Sequence, residues 1–251
     1  MDFVISSGTI FDVYRLEVVL DLGKDNKIPL EYFSTVQNED GGFAYGLSPG
    51  APSSIAETLD ILPWYDEMEL SYTGSFKQAV NYLLDERQPK GYWRESEDVL
   101  HIMGCADDEC REAMTLEITS RAAALLLYMD NKENLAGRAA KYLENFADDD
   151  GYLEKSPAAS WLLLSIYAQL NNESKFKSLL ERLYSIQAMD TDRIILALNC
   201  LKVQKGEKEK KTKLLDTLES LQSDDGSWHD GSGASVKTTV NAIRVLRTYH
   251  R

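Results

Sequence analysis

The side chains with the clearest chemical potential fall between residues 101 and 110. His101, Cys105 and Cys110 follow one another with Asp107 and Asp108 between the two cysteines. Imidazole, thiolate and carboxylate are zinc-ligand types, so His101, Cys105, Asp108 and Cys110 form a candidate metal set for zinc or magnesium. Their spacing matches no defined structural zinc module, and the competing reading is an acidic surface loop carrying two thiols. The connection they sit on, Arg94 to Met114, is the longest between predicted helices. Long connections on compact domains tend to carry function, and this one is a candidate lid.

Other charged groups gather near predicted helix starts. Asp190 and Asp192 stand where an N-cap and a first-turn acid would satisfy free N–H groups and complement the helix dipole. Glu57 and Glu117 are predicted in comparable first turns, and Arg121, Arg193 and Lys237 lie close to them in register. Those cations either pair with the carboxylates or form a local basic spot for an anionic head group. Cys200, inside Ala197-Leu-Asn-Cys-Leu, reads as a small buried hydrophobe. The aromatics Trp64, Tyr65, Tyr128, Trp161 and Tyr167 recur at helical spacing, the pattern of core packing. No phosphate loop, dinucleotide fingerprint, H-E-x-x-H or serine-elbow motif occurs.

The elements that position these residues come from an internal repeat. Gln37-Asn-Glu-Asp-Gly-Gly-Phe43 and Gln222-Ser-Asp-Asp-Gly-Ser-Trp228 share the pattern Q-x-x-D-G-x-aromatic. Shortened or degenerate copies stand at Gln88–Trp93, Asp148–Tyr152 and Gln187–Thr191. Each copy follows one helical pattern and precedes another. The preceding helices are expected over 29–36, 75–86, 134–146, 175–186 and 211–221. The following ones are expected over 54–64, 116–129, 158–170, 192–203 and 236–249. Leu179, Leu180, Leu183 and Ile186 make one apolar stripe with charges opposite, which predicts an outer helix with a wet face. Ala158–Ala168 is apolar nearly all round, which predicts an inner helix buried on both sides. An opening inner helix over 11–20 has Thr9 and Asp12 spaced as a capping box. Alternating inner and outer helices with negligible strand signal predict an all-α closed ring. In each turn glycine takes the left-handed conformation that ends a helix, and aspartate tightens the turn against its own backbone.

The Q-x-x-D-G-x-W/F motif at 37–43 and 222–228 resembles the repeat of squalene and terpenoid cyclases and of protein prenyltransferase β subunits, over roughly residues 9–250. The resemblance implies an α/α toroid, a six-hairpin α/α barrel of alternating inner and outer helices, with a central cavity for an isoprenoid chain. Prenyltransferase β subunits hold zinc with a D-x-C pair and a distant histidine. Asp108-Glu-Cys110 supplies the pair, but His229 lies in a turn and His250 at the terminus. Class II cyclases protonate an alkene with the middle aspartate of D-x-D-D. Asp190-Thr-Asp192-Arg193 is similar but ends in arginine, and it makes Asp190 and Asp192 the candidate catalytic acids. By the same resemblance, Glu57, Glu117, Arg121, Arg193 and Lys237 are candidate substrate-binding residues at the cavity mouth. The implied ligand is a hydrophobic small molecule or a prenyl diphosphate. The alternative is a non-catalytic toroid that binds a protein partner, as prenyltransferase β rings bind a helical subunit.

Composition bounds these readings. Twenty-seven basic against 41 acidic side chains give a net charge of −14, which argues against nucleic acid or anionic lipid as a partner. No apolar run is long enough to span a bilayer, and the first residues lack a basic export signal. Three cysteines in 251 residues make no disulfide framework, so reduced thiols and a cytoplasmic location are expected. The repeat turns run from Asp40 to Trp228 and leave no boundary, so one toroid domain is expected over 1–251.

Overall fold

Four of the five repeat turns are built from the same pair of hydrogen bonds. In the first, the Asn38 amide donates to the Gly42 carbonyl and the Gly41 amide to the Asn38 carbonyl, each at 2.9 Å. Gln88, Asp148 and Ser223 close their turns in the same way on Tyr92, Tyr152 and Ser227. The turn glycines 41, 91, 151 and 226 all have φ between +82° and +89°, a region where a Cβ is costly. The fifth copy, Gln187–Thr191, begins outside the described residues. A computed structural model of the chain describes residues 1–22, 27–130, 132–186, 189–202 and 206–250.

Among these, thirteen α-helices carry the fold. They are α1 (Asp2–Ser7), α2 (Ile10–Leu20), α3 (Lys27–Val36), α4 (Ile55–Glu67), α5 (Gly74–Asp85), α6 (Glu97–Ile102) and α7 (Asp108–Asp130). Then come α8 (Glu133–Glu144), α9 (Pro157–Gln169), α10 (Glu173–Ser185), α11 (Thr191–Lys202), α12 (Lys208–Ser220) and α13 (Val236–His250). Each predicted helix is present, most with ends shifted by a few residues and α7 with its start shifted by eight, while α1 and α6 were not predicted. The Thr9–Asp12 capping box opens α2, with both reciprocal bonds formed. Two two-residue hairpins follow the two complete motifs. Phe43–Ala44 pairs antiparallel with Ser53–Ser54, and His229–Asp230 with Gly233–Ala234.

Contacts gather the chain into two units. The first joins Met1–Asp25 to Tyr184–Arg251, and in it α13 packs on α2 and α11 while α11 packs on α12. The second is Asn26–Leu183, where α7 packs along both α8 and α9, and α4 along α5. The contrast between inner and outer helices is plain in this unit. On α9, Ala159, Trp161, Leu163, Leu164, Ile166 and Tyr167 are buried, almost the full circumference. On α10 only Phe176, Leu179, Leu180 and Leu183 are, and Ile186 falls just beyond the helix end. Burying each such side chain contributes about 1.5–3 kcal/mol, more than the ~0.5–2 kcal/mol of a cap, so the apolar stripe decides which face turns inward.

One expectation is corrected. Residues 94–114 are not a long loop. Ser96 caps α6 by accepting the Val99 amide, and α7 begins at Asp108, eight residues before the predicted start. Acidic residues at both helix starts, Glu97, Asp98, Asp108 and Glu109, favour the free N–H groups there. Only a short connection separates the two helices.

Candidate functional site

That connection also overturns the metal set. Cys105 and Cys110 are joined by a disulfide, so neither sulfur is a thiolate donor and the expectation of reduced thiols fails for this pair. His101 is exposed on the last turn of α6, and Asp108 is exposed at the start of α7. Among the described residues no three His, Cys, Asp or Glu side chains gather as a metal site. The physical reason is local: the turn between α6 and α7 brings the two cysteine Cα atoms to 5.6 Å, inside disulfide range. Asp107 meanwhile caps α7 by accepting the Cys110 amide at 2.7 Å. Cys200 is a buried hydrophobe, its thiol pushed up to about 12 by burial.

The charged candidates fall in both units. In the first unit, Asp190 accepts the Arg193 amide at 2.9 Å and pairs with the Arg193 guanidinium at 3.4 Å, with about half of its side chain exposed. Asp192 accepts a hydrogen bond from the Thr238 hydroxyl at 2.9 Å, tying α11 to α13. Lys237, on α13, is exposed. In the second unit, Glu57 accepts the Gly46 amide at 3.0 Å and so anchors the loop before α4. Arg121 pairs with Asp60, joining α7 to α4. Glu117 is not in a first turn, because α7 starts at Asp108 and places it more than two turns into the helix.

Two features escaped sequence reasoning. The first is a hydroxyl beneath every intact repeat turn. The amides of Phe43, Trp93, Leu153 and Trp228 donate to Thr58, Thr119, Ser160 and Thr239 of the following inner helix, at 2.8–3.1 Å. Each pairing lies next to the buried aromatic or leucine that ends the motif. The signal was present as a Ser or Thr in every following helix, but its distance from the turn varies from 7 to 26 residues. Glu95 is the matching acid. It is 2% exposed, and its carboxylate accepts from the Ser54 hydroxyl and the Ile55 and Ala56 amides at 2.8–3.1 Å, capping α4 from a distant segment.

The second feature is an acidic cavity of about 440 Å³ beside the first repeat turn, lined in part by Glu39, Asp40, Tyr82, Glu86 and Asp98. Burial, then the charges of Glu86, Glu95 and Asp40, pushes the Tyr82 phenol far above its ordinary value. Burial, then Asp40, Glu95 and Asp85, raises the Glu86 carboxyl. This is a pocket of uncompensated negative charge.

No protein-family model matches the chain, and no curated protein matches it by sequence. Solved structures do. A protein from Actinoplanes is 13% identical with a TM-score of 0.65, over 95% of this chain and 89% of that one. A variant of the type II terpene cyclase MstE from Scytonema, in complex with geranylgeranyl dihydroxybenzoate, is 15% identical with a TM-score of 0.63, over 94% and 85%. The same cyclase without ligand gives 13% identity and a TM-score of 0.62 over 93% and 85%. The likeness is one of fold. The chain is all-α, with the alternating inner and outer helices of the α/α toroid.

Proposed function

We propose that the chain is a single toroid domain over 1–251 that holds an isoprenoid-like apolar ligand among its inner helices. The supporting observation is the fold likeness to a terpene cyclase along 94% of the chain, one whose complex contains a geranylgeranylated substrate. Fold likeness alone does not carry the cyclisation reaction. Asp190 and Asp192, the candidate acids, have oxygens engaged by a helix start, an arginine and a threonine, so the reading is binding before catalysis.

The test is incubation of the purified chain with prenyl diphosphates from geranyl to geranylgeranyl and with a geranylgeranylated dihydroxybenzoate. Binding is followed by quenching of tryptophan fluorescence and products by mass spectrometry. Saturable quenching that strengthens with chain length is expected. Absence of binding for every ligand would falsify the reading. If products appear, Asp190→Asn and Asp192→Asn decide whether either acid takes part.

A further inference from the structure

The Cys105–Cys110 disulfide fastens a strap of chain that is anchored at both ends. On the near side Trp93 is buried, its amide donating to the Thr119 hydroxyl of α7 and its carbonyl accepting from the same hydroxyl, at 3.1 and 3.2 Å. Glu95 belongs to that anchor, because its carboxylate accepts from the Ser54 hydroxyl and the Ile55 and Ala56 amides. On the far side Asp107 accepts the Cys110 amide and caps α7. Between the anchors runs the strap, residues 96–106. Its one helix, α6, has six residues, too few to be stable by its own hydrogen bonds.

α6 ends at a left-handed glycine. Gly104 has φ +71°, its amide donates to the His101 carbonyl, and the Cys105 amide donates to the Leu100 carbonyl. This paired reversal turns Cys105 back into the fold, where it is 2% exposed and meets the first turn of α7. Three features then hold the strap down. Val99 and Leu100 are buried, Glu97 pairs with Arg111 of α7 at 2.7 Å, and the disulfide ties Cys105 to Cys110. The ion pair is partly exposed and therefore weak. Ile102 and Met103, on the same strap, are exposed and add no burial. With the covalent tie gone, two apolar side chains must offset the conformational freedom of the whole segment.

We propose that residues 96–106 are a redox-latched strap, closed by this disulfide and opened by a dithiol reductant. Cys110 is half-buried and Cys105 is buried, so attack falls on Cys110. A thiolate of the reductant bonds to the Cys110 Sγ. The S–S bond breaks with its electron pair on the Cys105 Sγ, which takes up a proton. The second thiol of the reductant then attacks the mixed disulfide and gives its proton to the departing Cys110 sulfur. The protein gains two electrons and two protons, and the dithiol ends as a disulfide. Oxidised glutathione runs the exchange in the other direction, leaving as two reduced thiols.

The test is amide hydrogen exchange of the full chain by mass spectrometry, before and after dithiothreitol in the absence of denaturant. Exchange over residues 97–106 should quicken at least tenfold on reduction, while α4 and α9 keep their protection. Oxidised glutathione should restore the slow exchange. The Cys105→Ser/Cys110→Ser variant should show the fast exchange without reductant and gain nothing from it. The proposal is overturned if thiol titration shows that dithiothreitol leaves the disulfide intact in the folded chain. It is also overturned if exchange over 97–106 changes less than threefold on reduction. Loss of protection in α4 and α9 together with the strap would overturn it as well, since the disulfide would then hold the whole unit. No prenyl ligand enters the assay, so the result is independent of the isoprenoid reading.

Discussion

Single hydroxyls and carboxylates do more structural work here than the motif itself announces. The Thr119 hydroxyl accepts from the Trp93 amide at 3.1 Å and donates to the Trp93 carbonyl at 3.2 Å, and all three groups are buried. Thr119→Val should therefore leave a buried amide unsatisfied and destabilise by about 1–3 kcal/mol in urea unfolding. The exposed Thr212→Val should stay within about 0.5 kcal/mol, and equal effects would refute the role given to Thr119. Glu86 predicts the opposite sign. Its carboxyl is raised in the folded state, so folding takes up a proton. Stability from this group is present below its unfolded value, near 4.5, and is lost as pH rises through the higher folded value. Glu86→Gln should be neutral or stabilising at pH 7, with the difference fading below about 4.5. A Glu86→Gln chain that unfolds more easily at neutral pH would contradict this. The turn glutamine and aspartate were readable from spacing. Thr119 and Glu86 were not, because nothing local marks which of many such residues meets a buried amide or a crowd of like charges.

Among elements, the turns and the α6–α7 connection carry the clearest consequences. All four turn glycines are left-handed, which costs a Cβ-bearing residue about 1–2 kcal/mol. They differ in surroundings. A Cβ on Gly41 would lie 2.5 Å from the Gln78 carbonyl oxygen of α5, whereas on Gly226 nothing is closer than 3.7 Å. Gly41→Ala should thus lower the unfolding free energy by more than Gly226→Ala, and similar values for the two would contradict the close approach of α5. The Cys105–Cys110 disulfide closes a small ring. In the loop-entropy account that contributes about 2 kcal/mol. In denaturant without reductant, thiol titration should find one group, Cys200, and three after reduction. Three thiols in unreduced protein would remove the disulfide. Helix existence was legible from periodicity for α2 to α5 and α7 to α13, but not for the six-residue α1 and α6, which are too short to show a period. The boundaries of α6 and α7 were not, because the acids that read as a wet loop are also the residues that start helices.

For the whole molecule, charge and fold pull in different directions. A net charge of −14 repels itself in the folded state, and its exposed ion pairs are individually weak. Raising salt from about 0.01 to 0.15 M shortens the screening length from ~30 to ~8 Å. The melting temperature at pH 7 should rise by a few degrees, since about 1 kcal/mol corresponds to ~2–4 °C for a chain of this size. A fall would mean that attractive pairs dominate. No described helix is long and apolar enough to cross a membrane. The amino-acid sequence by itself determined the alternation of inner and outer helices, the repeat turns and the excess of acid, because each is a short-range pattern within one helix or turn. Only the tertiary structure decided which groups act together. Glu95 caps α4 from 40 residues away, and Gly42 matters through Tyr82. Four carboxylates from segments between residues 39 and 98 share one cavity. Such meetings depend on how distant segments pack, and no spacing along the chain encodes them.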